Sequence, residues 1–252
     1  MFRSLLFIPG NNERFLKKSI NLKPDILCFD LEDSVPFNDK ELARNLVAGH
    51  VATHDEDKEP SIYVRINSVD SGLVDGDLDR VLVKGLDGIV LPKISNSQEV
   101  IQIIDKIEMI VSKRSISARI RIIPSIETAK GVINANSIAS AHENVVALVF
   151  GVFDYLYDMN IDVEYDDHLS YNYARSKIPV DAKAAGIEAM DGIWQEVNDL
   201  DGLIKDATNA KKLGYSGKTL IHPLHINPVH DIFRLTKKQI EWAEKVLAAL
   251  QD

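Results

Sequence analysis

The side chains in this sequence whose types and spacing suit chemistry all stand at the ends of short apolar runs. They are Glu32 and Asp33 in CFDLED, Arg65 in IYVRIN, Lys93 in GIVLPK, Glu127 in IIPSIETAKG, Asp154 in VFGVFD and His222 in LIHP; Asp30 and Asp191 end two of the same runs. Carboxylates that converge on one mouth repel one another and raise their own pKa values unless positive charge lies between them. A divalent cation is the economical remedy. Mg²⁺ takes oxygen ligands, usually one or two of them carboxylates, and keeps other positions for water and substrate. Glu127 and Asp154 are the expected direct ligands, with Glu32 and Asp33 holding metal-bound water. The competing role for Glu127 is a first-turn acid that favours a helix dipole; Asp154 at the matching place in the next unit tips the choice towards metal.

Arg65, between Val64 and Ile66, is expected to point inward, where a planar guanidinium suits a substrate carboxylate. Lys93 admits a Schiff-base reading, but a strand-end salt bridge to a neighbouring acid is favoured because the acids already provide for metal-based catalysis. His222 admits a role as base or third ligand, with a structural role favoured. The other histidines lack H-E-x-x-H spacing and no G-x-S-x-G elbow occurs, which disfavours zinc and serine-hydrolase chemistry.

These residues need a scaffold that brings many strand ends together. Eight runs have strand length: RSLLFIP, DILCFDL, SIYVRI, GIVLPK, RIRIIPSI, VVALVFG, IEAMDG and GKTLIHP. Helical patterns are expected at Asn12–Ile20, Asp39–Thr53, Asp77–Lys84, Ser97–Lys113, Thr128–Ala141, His168–Ala185, Leu200–Leu213 and Thr236–Leu250, with caps at Asn38 and Asp39, Ser95 to Ser97, and Thr236. Strands alternating with helices imply an α/β protein with a parallel sheet. Eight such units in 252 residues predict a (β/α)₈ TIM barrel, residues 1–252 forming a single catalytic domain. A doubly wound sheet would more often open with G-x-G-x-x-G, which FIPGNNER lacks.

Composition narrows the partners. A formal net charge of -9 with scattered Lys and Arg argues against nucleic acid. The one cysteine, Cys28, lies in DILCFDL and reads as a buried small hydrophobe in a reducing compartment. The apolar stretch of MFRSLLFIPGNNER is too short for a signal or membrane span, so a cytoplasmic protein without membrane attachment is expected.

From end to end, RSLLFIPGNNERFLKKS, CFDLEDSVPFNDKELAR, VRIN, DGIVLPK, IETAKGVINA, LVFGVFD, YARSKIPVDAKAAGIEAMDG and GYSGKTLIHPLHINPV carry a resemblance. The sequence resembles the citrate lyase beta subunit-like family, the citryl, malyl and citramalyl thioester lyases of the metal-dependent hydroxy-oxo-acid aldolase superfamily. The resemblance implies a barrel, commonly trimeric, that binds Mg²⁺ through Glu127 and Asp154. It implies that Arg65 grips the carboxylate of a 2-oxo acid such as oxaloacetate, pyruvate or glyoxylate, and that Glu32 and Asp33 order the metal's water shell. Gly151, Val152 and Phe153 would line the substrate site, and Pro9 and Gly10 would lie near the arm of an acyl thioester, on CoA or an acyl carrier protein.

The implied chemistry is carbon–carbon bond cleavage or formation between an acyl thioester and a 2-oxo acid through an enolate. An aldolase acting on free 2-oxo acids and a non-catalytic keto-acid-binding subunit are the alternatives. Three departures bear on the choice. No histidine follows the second strand, where the aldolase branch has one. The chain ends at VLAALQD, directly after its expected last barrel helix, without the C-terminal lid extension of the acyl-CoA lyases. Phe153 and Tyr155 flank Asp154 where relatives usually have an acid and a leucine.

Overall fold

In the computed structural model, which describes residues 1–54, 60–116, 119–162, 169–235 and 237–249, eight parallel strands close into a barrel in chain order. They are β1 Ser4–Pro9, β2 Ile26–Asp30, β3 Ser61–Arg65, β4 Gly88–Leu91, β5 Arg121–Ile126, β6 Ala147–Phe150, β7 Glu188–Asp191 and β8 Gly217–Leu220, with β8 pairing back onto β1. The first six runs are mostly apolar because a parallel strand covered by helices is buried on both faces, whereas β7 (EAMD) and β8 (GKTL) also carry the buried polar residues Asp191, Lys218 and Thr219. One face fills the lumen with Leu5, Ile26, Cys28, Tyr63, Val90, Ile123, Val149 and Met190. The other packs against the helices in the larger core. Cys28 is fully buried in the lumen, as its apolar setting predicted. Gly88 makes room there for Tyr63, since a Cβ at Gly88 would lie 2.2 Å from the Tyr63 ring.

The helices are α1 Glu13–Ser19, α2 Lys40–Val51, α3 Val74–Val81, α4 Ser97–Arg114, α5 Ala129–Ala139, α6 Val152–Asp158, α7 Asn172–Ala184, α8 Leu200–Leu213, α9 Ile226–Phe233 and α10 Lys237–Ala249. Among the described residues, no helix is long and apolar enough to cross a membrane. Capping follows local chemistry. Asn96 accepts from the N–H of Glu99 while Glu99 accepts from the N–H of Ser95, a reciprocal pair that opens α4. The expected Asn38–Asp39 cap is not made: those residues lie in a 3₁₀ turn before α2, and the Asp39 carboxylate accepts from Asn11 instead. The expected Thr236 cap and the start of the helix at His168 lie outside the described residues.

Two further expectations need correction. The third helix begins at Val74 rather than Asp77, because the Asp77 carboxylate is buried mid-helix, accepting from Asn67 and Arg44. The eighth barrel helix is α9, not the segment ending the chain. It packs on α8, β1 and β8 and buries Ile226, Val229 and Phe233. α10 is a further helix beyond it.

Candidate active site

The C-terminal strand ends gather the acids and their counter-charges. Asp30 and Arg65 are direct cross-strand partners at the ends of β2 and β3. Arg65 donates from Nε to Asp30 Oδ1 and from Nη2 to Asp30 Oδ2, both at 2.7 Å. Its guanidinium also lies over the Phe7 ring, 4.6 Å from the centroid. Burial alone would raise the Asp30 pKa, but the Arg65 charge and hydrogen bonds, helped by Ser34, hold it down at about 2. One nitrogen of the fork is left clear of Asp30: Nη1 instead faces Glu32 Oε2 at 3.1 Å and Asp33 at 3.8 Å.

Glu127 follows β5 directly. The cap of α5 is its neighbour Thr128, whose hydroxyl accepts from the N–H of Gly131, so Glu127 is not spent on capping. It is 3% exposed and packed against Gly151, where a Cβ would stand 2.3 Å from Glu127 Cγ. Gly151 opens α6, in whose first turn Asp154 lies. This seven-residue helix had no counterpart in the sequence reading.

Lys93 joins these acids. Its N–H donates to Glu127 Oε2 at 3.1 Å, and its ammonium lies 2.6 Å from Glu32, 3.2 Å from Asp33 and 3.3 Å from Asp154. This is the salt-bridge role favoured from sequence, made to several acids at once. Burial would lower the Lys93 pKa, but hydrogen bonding to Glu32 and the surrounding carboxylates raise it. Lys40 donates to the carbonyls of Leu31 and Glu32 and steadies the loop that carries Glu32 and Asp33.

Negative charge is in excess. Burial, with Asp154 and Glu32 nearby, pushes Glu127 up to about 8. Burial raises Glu32 to about 7 against the opposing pull of Arg65 and Lys93, with Asp33 adding to the rise. Glu32 Oε2 is buried without a hydrogen-bond partner, its approach to Arg65 being an ion pair only. Among the described residues, no three Asp, Glu, His or Cys side chains are drawn together as a ready-made metal cage; the Lys93 ammonium stands between them. Two carboxylates, one under-satisfied second-row acid and excess negative charge suit a hard cation that takes few protein ligands.

Pro9 and Gly10 adjoin this cluster at the end of β1: the N–H of Gly10 donates to the Asp30 carbonyl at 2.9 Å, an approach only glycine permits because a Cβ would meet that oxygen at 2.6 Å. His222 is structural, its ring Nδ1 accepting from the N–H of Leu224 at the turn after β8. Asp191 is not part of the mouth. Met190 points into the lumen, so Asp191 turns to the outer face, where it joins Arg175, Lys218 and Asp206 in a buried network of two acids and two bases. Beside that network a cavity of about 190 Å³ is lined by Phe150, Val152, Phe153, Tyr171 and Trp194, so one wall is the segment leading to Asp154.

A parallel eight-stranded barrel presents carboxylates, a clamped arginine and a lysine at its C-terminal strand ends, the face where enzymes of this fold carry their chemistry. The chain belongs to the HpcH/HpaI aldolase/citrate lyase family, whose model matches residues 3–223. It is 35% identical to citrate lyase subunit beta of Haemophilus influenzae, covering 98% of this chain and 84% of the relative. It is 33% identical to the mitochondrial citramalyl-CoA lyase of Rattus norvegicus, covering 99% of this chain and 76% of that one. The citrate lyase beta subunit of Mycobacterium tuberculosis, solved with oxaloacetate and magnesium, superposes with a TM-score of 0.76 at 24% identity, over 93% of this chain and 97% of that one.

Proposed function

We propose that residues 1–252 act as one catalytic domain, a Mg²⁺-dependent lyase that cleaves or forms the bond between an acyl thioester and a 2-oxo acid. The observation that carries this reading is that Glu127 and Asp154, from consecutive βα units, both engage Lys93, Glu127 through its backbone N–H and Asp154 through its ammonium. A solved protein of the same fold that carries oxaloacetate and magnesium supports the choice of cation and of a 2-oxo acid. Glu127 and Asp154 would hold Mg²⁺, with Glu32 and Asp33 orienting its water. When bound, the ion supplies a positive charge opposite the oxygen that gains negative charge in the reaction. The Nη1 edge of Arg65, ion-paired here with Glu32, would turn to the 2-oxo acid's carboxylate, its plane already fixed by Asp30. The backbone of Gly151, Val152 and Phe153 would line the substrate, and Pro9 and Gly10 the thioester arm on CoA or a carrier protein.

In the cleavage direction, a 3-hydroxy-3-carboxyacyl thioester loses its hydroxyl proton. The bond between the second and third carbons then breaks, the electron pair passes to the thioester as an enolate, the 2-oxo acid departs, and the enolate takes up a proton. A homotrimer in the cytoplasm is part of the same reading, and light scattering tests the assembly. The decisive experiment is Glu127→Gln. Calorimetry is expected to show Mg²⁺ affinity lost, with turnover of citryl, citramalyl and malyl thioesters reduced at least about 100-fold. Full affinity and turnover in the variant would refute the ligand assignment. Turnover of a free hydroxy-oxo acid, with none of any thioester, would replace the lyase by an aldolase.

A further inference from the structure

Lys93 is the one residue of the cluster whose backbone and side chain both engage the proposed ligands, and it does so from a conformation seldom adopted by residues other than glycine. Its φ is 53°, in the left-handed region, which costs an L-residue energy and is retained where surrounding structure demands it. The strained turn does two things. It aims the N–H at Glu127 Oε2, and it sends the ammonium among Glu32, Asp33 and Asp154. The side chain remains 33% exposed, against 12% for Arg65. Two of Arg65's three nitrogens are committed to Asp30, so Lys93 is the more open of the two cations.

We propose that Lys93 is an exchangeable counter-ion: its ammonium balances Asp154 until a divalent cation arrives, then gives up Asp154 and binds an anionic oxygen of the substrate. This rests on the proposed metal ligands. The geometry supports both halves. A cation seated at Asp154 repels an ammonium 3.3 Å from the same carboxylate, whereas the shorter contact to Glu32, at 2.6 Å, can persist as a pivot. The backbone bond to Glu127 does not depend on where the ammonium goes, so the ligand stays aimed while the side chain moves. The substrate class follows: a carboxylate or an enolate oxygen meets a lysine freed by the metal, and anion binding becomes conditional on metal binding.

The test uses Lys93→Met, which keeps the stem and the left-handed backbone but removes the charge, with Lys93→Gly to relieve the backbone. Mg²⁺ alone, then pyruvate and oxaloacetate at saturating Mg²⁺, are titrated by calorimetry into wild type and both variants. The two affinities are expected to move in opposite directions in both variants: Mg²⁺ tighter by about 10-fold, because no ammonium competes, and 2-oxo acid weaker by 10-fold or more. A side chain that only supports the fold would weaken both together, and an idle one would change neither; either result overturns the proposal. If wild type binds Mg²⁺ and this signature is missing, the lysine assignment alone fails. If wild type binds no Mg²⁺, the ligand assignment fails and takes this proposal with it.

Discussion

Asp30 shows how much one side chain can decide without touching substrate. It is fully buried and engages both Nε and Nη2 of Arg65, so the guanidinium reaches the mouth with its plane set. Removing one partner of a buried ion pair leaves the other charge uncompensated, at a cost of about 3–5 kcal/mol. Asp30→Asn should lose stability on that scale in urea unfolding at pH 7. The pH dependence has a definite sign. The folded pKa is depressed from 3.8 to about 2, so the unfolded chain binds the proton more readily. The stabilisation is therefore present above about pH 4 and disappears as pH falls towards 2. That amounts to roughly 2 kcal/mol for this carboxyl. Unfolding followed from pH 5 to 2 should show this acid limb reduced in Asp30→Asn, and an unchanged limb would mean that Arg65 does not hold Asp30 ionised.

Between consecutive βα units, the segment after β6 positions the site through Gly151. Its φ of −96° suits any residue, so its requirement is space rather than backbone freedom. Gly151→Ala would place a methyl 2.3 Å from Cγ of the buried Glu127. Displacing a ligand's support costs about 10- to 100-fold in metal affinity, and calorimetry should show that loss with the circular dichroism spectrum unchanged. An unaltered affinity would show that Glu127 has room to retreat. At this scale the sequence was readable where burial imposes apolar runs, as in β1 to β6, and where the alternation with helices placed the more polar β7 and β8. It was less readable where polarity has two meanings. Asp191 ends its run like the mouth acids, yet strand parity turns it outward to Arg175 and Lys218. Asp30 and Arg65 could have been paired from sequence, because aligning CFD with YVR puts them in register. The left-handed turn at Lys93 has no such signal, since nothing in LPKIS requires it.

Across the whole molecule, closure of the barrel assigns different weights to its last two helices. α9 seals the seam between β8 and β1: Phe233 and Val229 are buried, and His230 lies within hydrogen-bond reach of the Ser4 hydroxyl, 2.7 Å away on β1. Every described side chain of α10 is exposed, including Ile240, Trp242 and Leu247. Ending the chain after Leu235 should therefore leave a folded barrel, because little apolar surface is uncovered. A change of about 1 kcal/mol corresponds to only about 2–4 °C in a chain of this size. Ending it after His222 removes α9 as well. That uncovers the apolar surface beneath Ile226, Val229 and Phe233, each worth about 1.5–3 kcal/mol when buried, and opens the seam on which every strand end depends. The product ending at Leu235 should melt cooperatively within a few degrees of the full chain, and the product ending at His222 should show no cooperative transition. Collapse of the longer product would show that the barrel depends on α10.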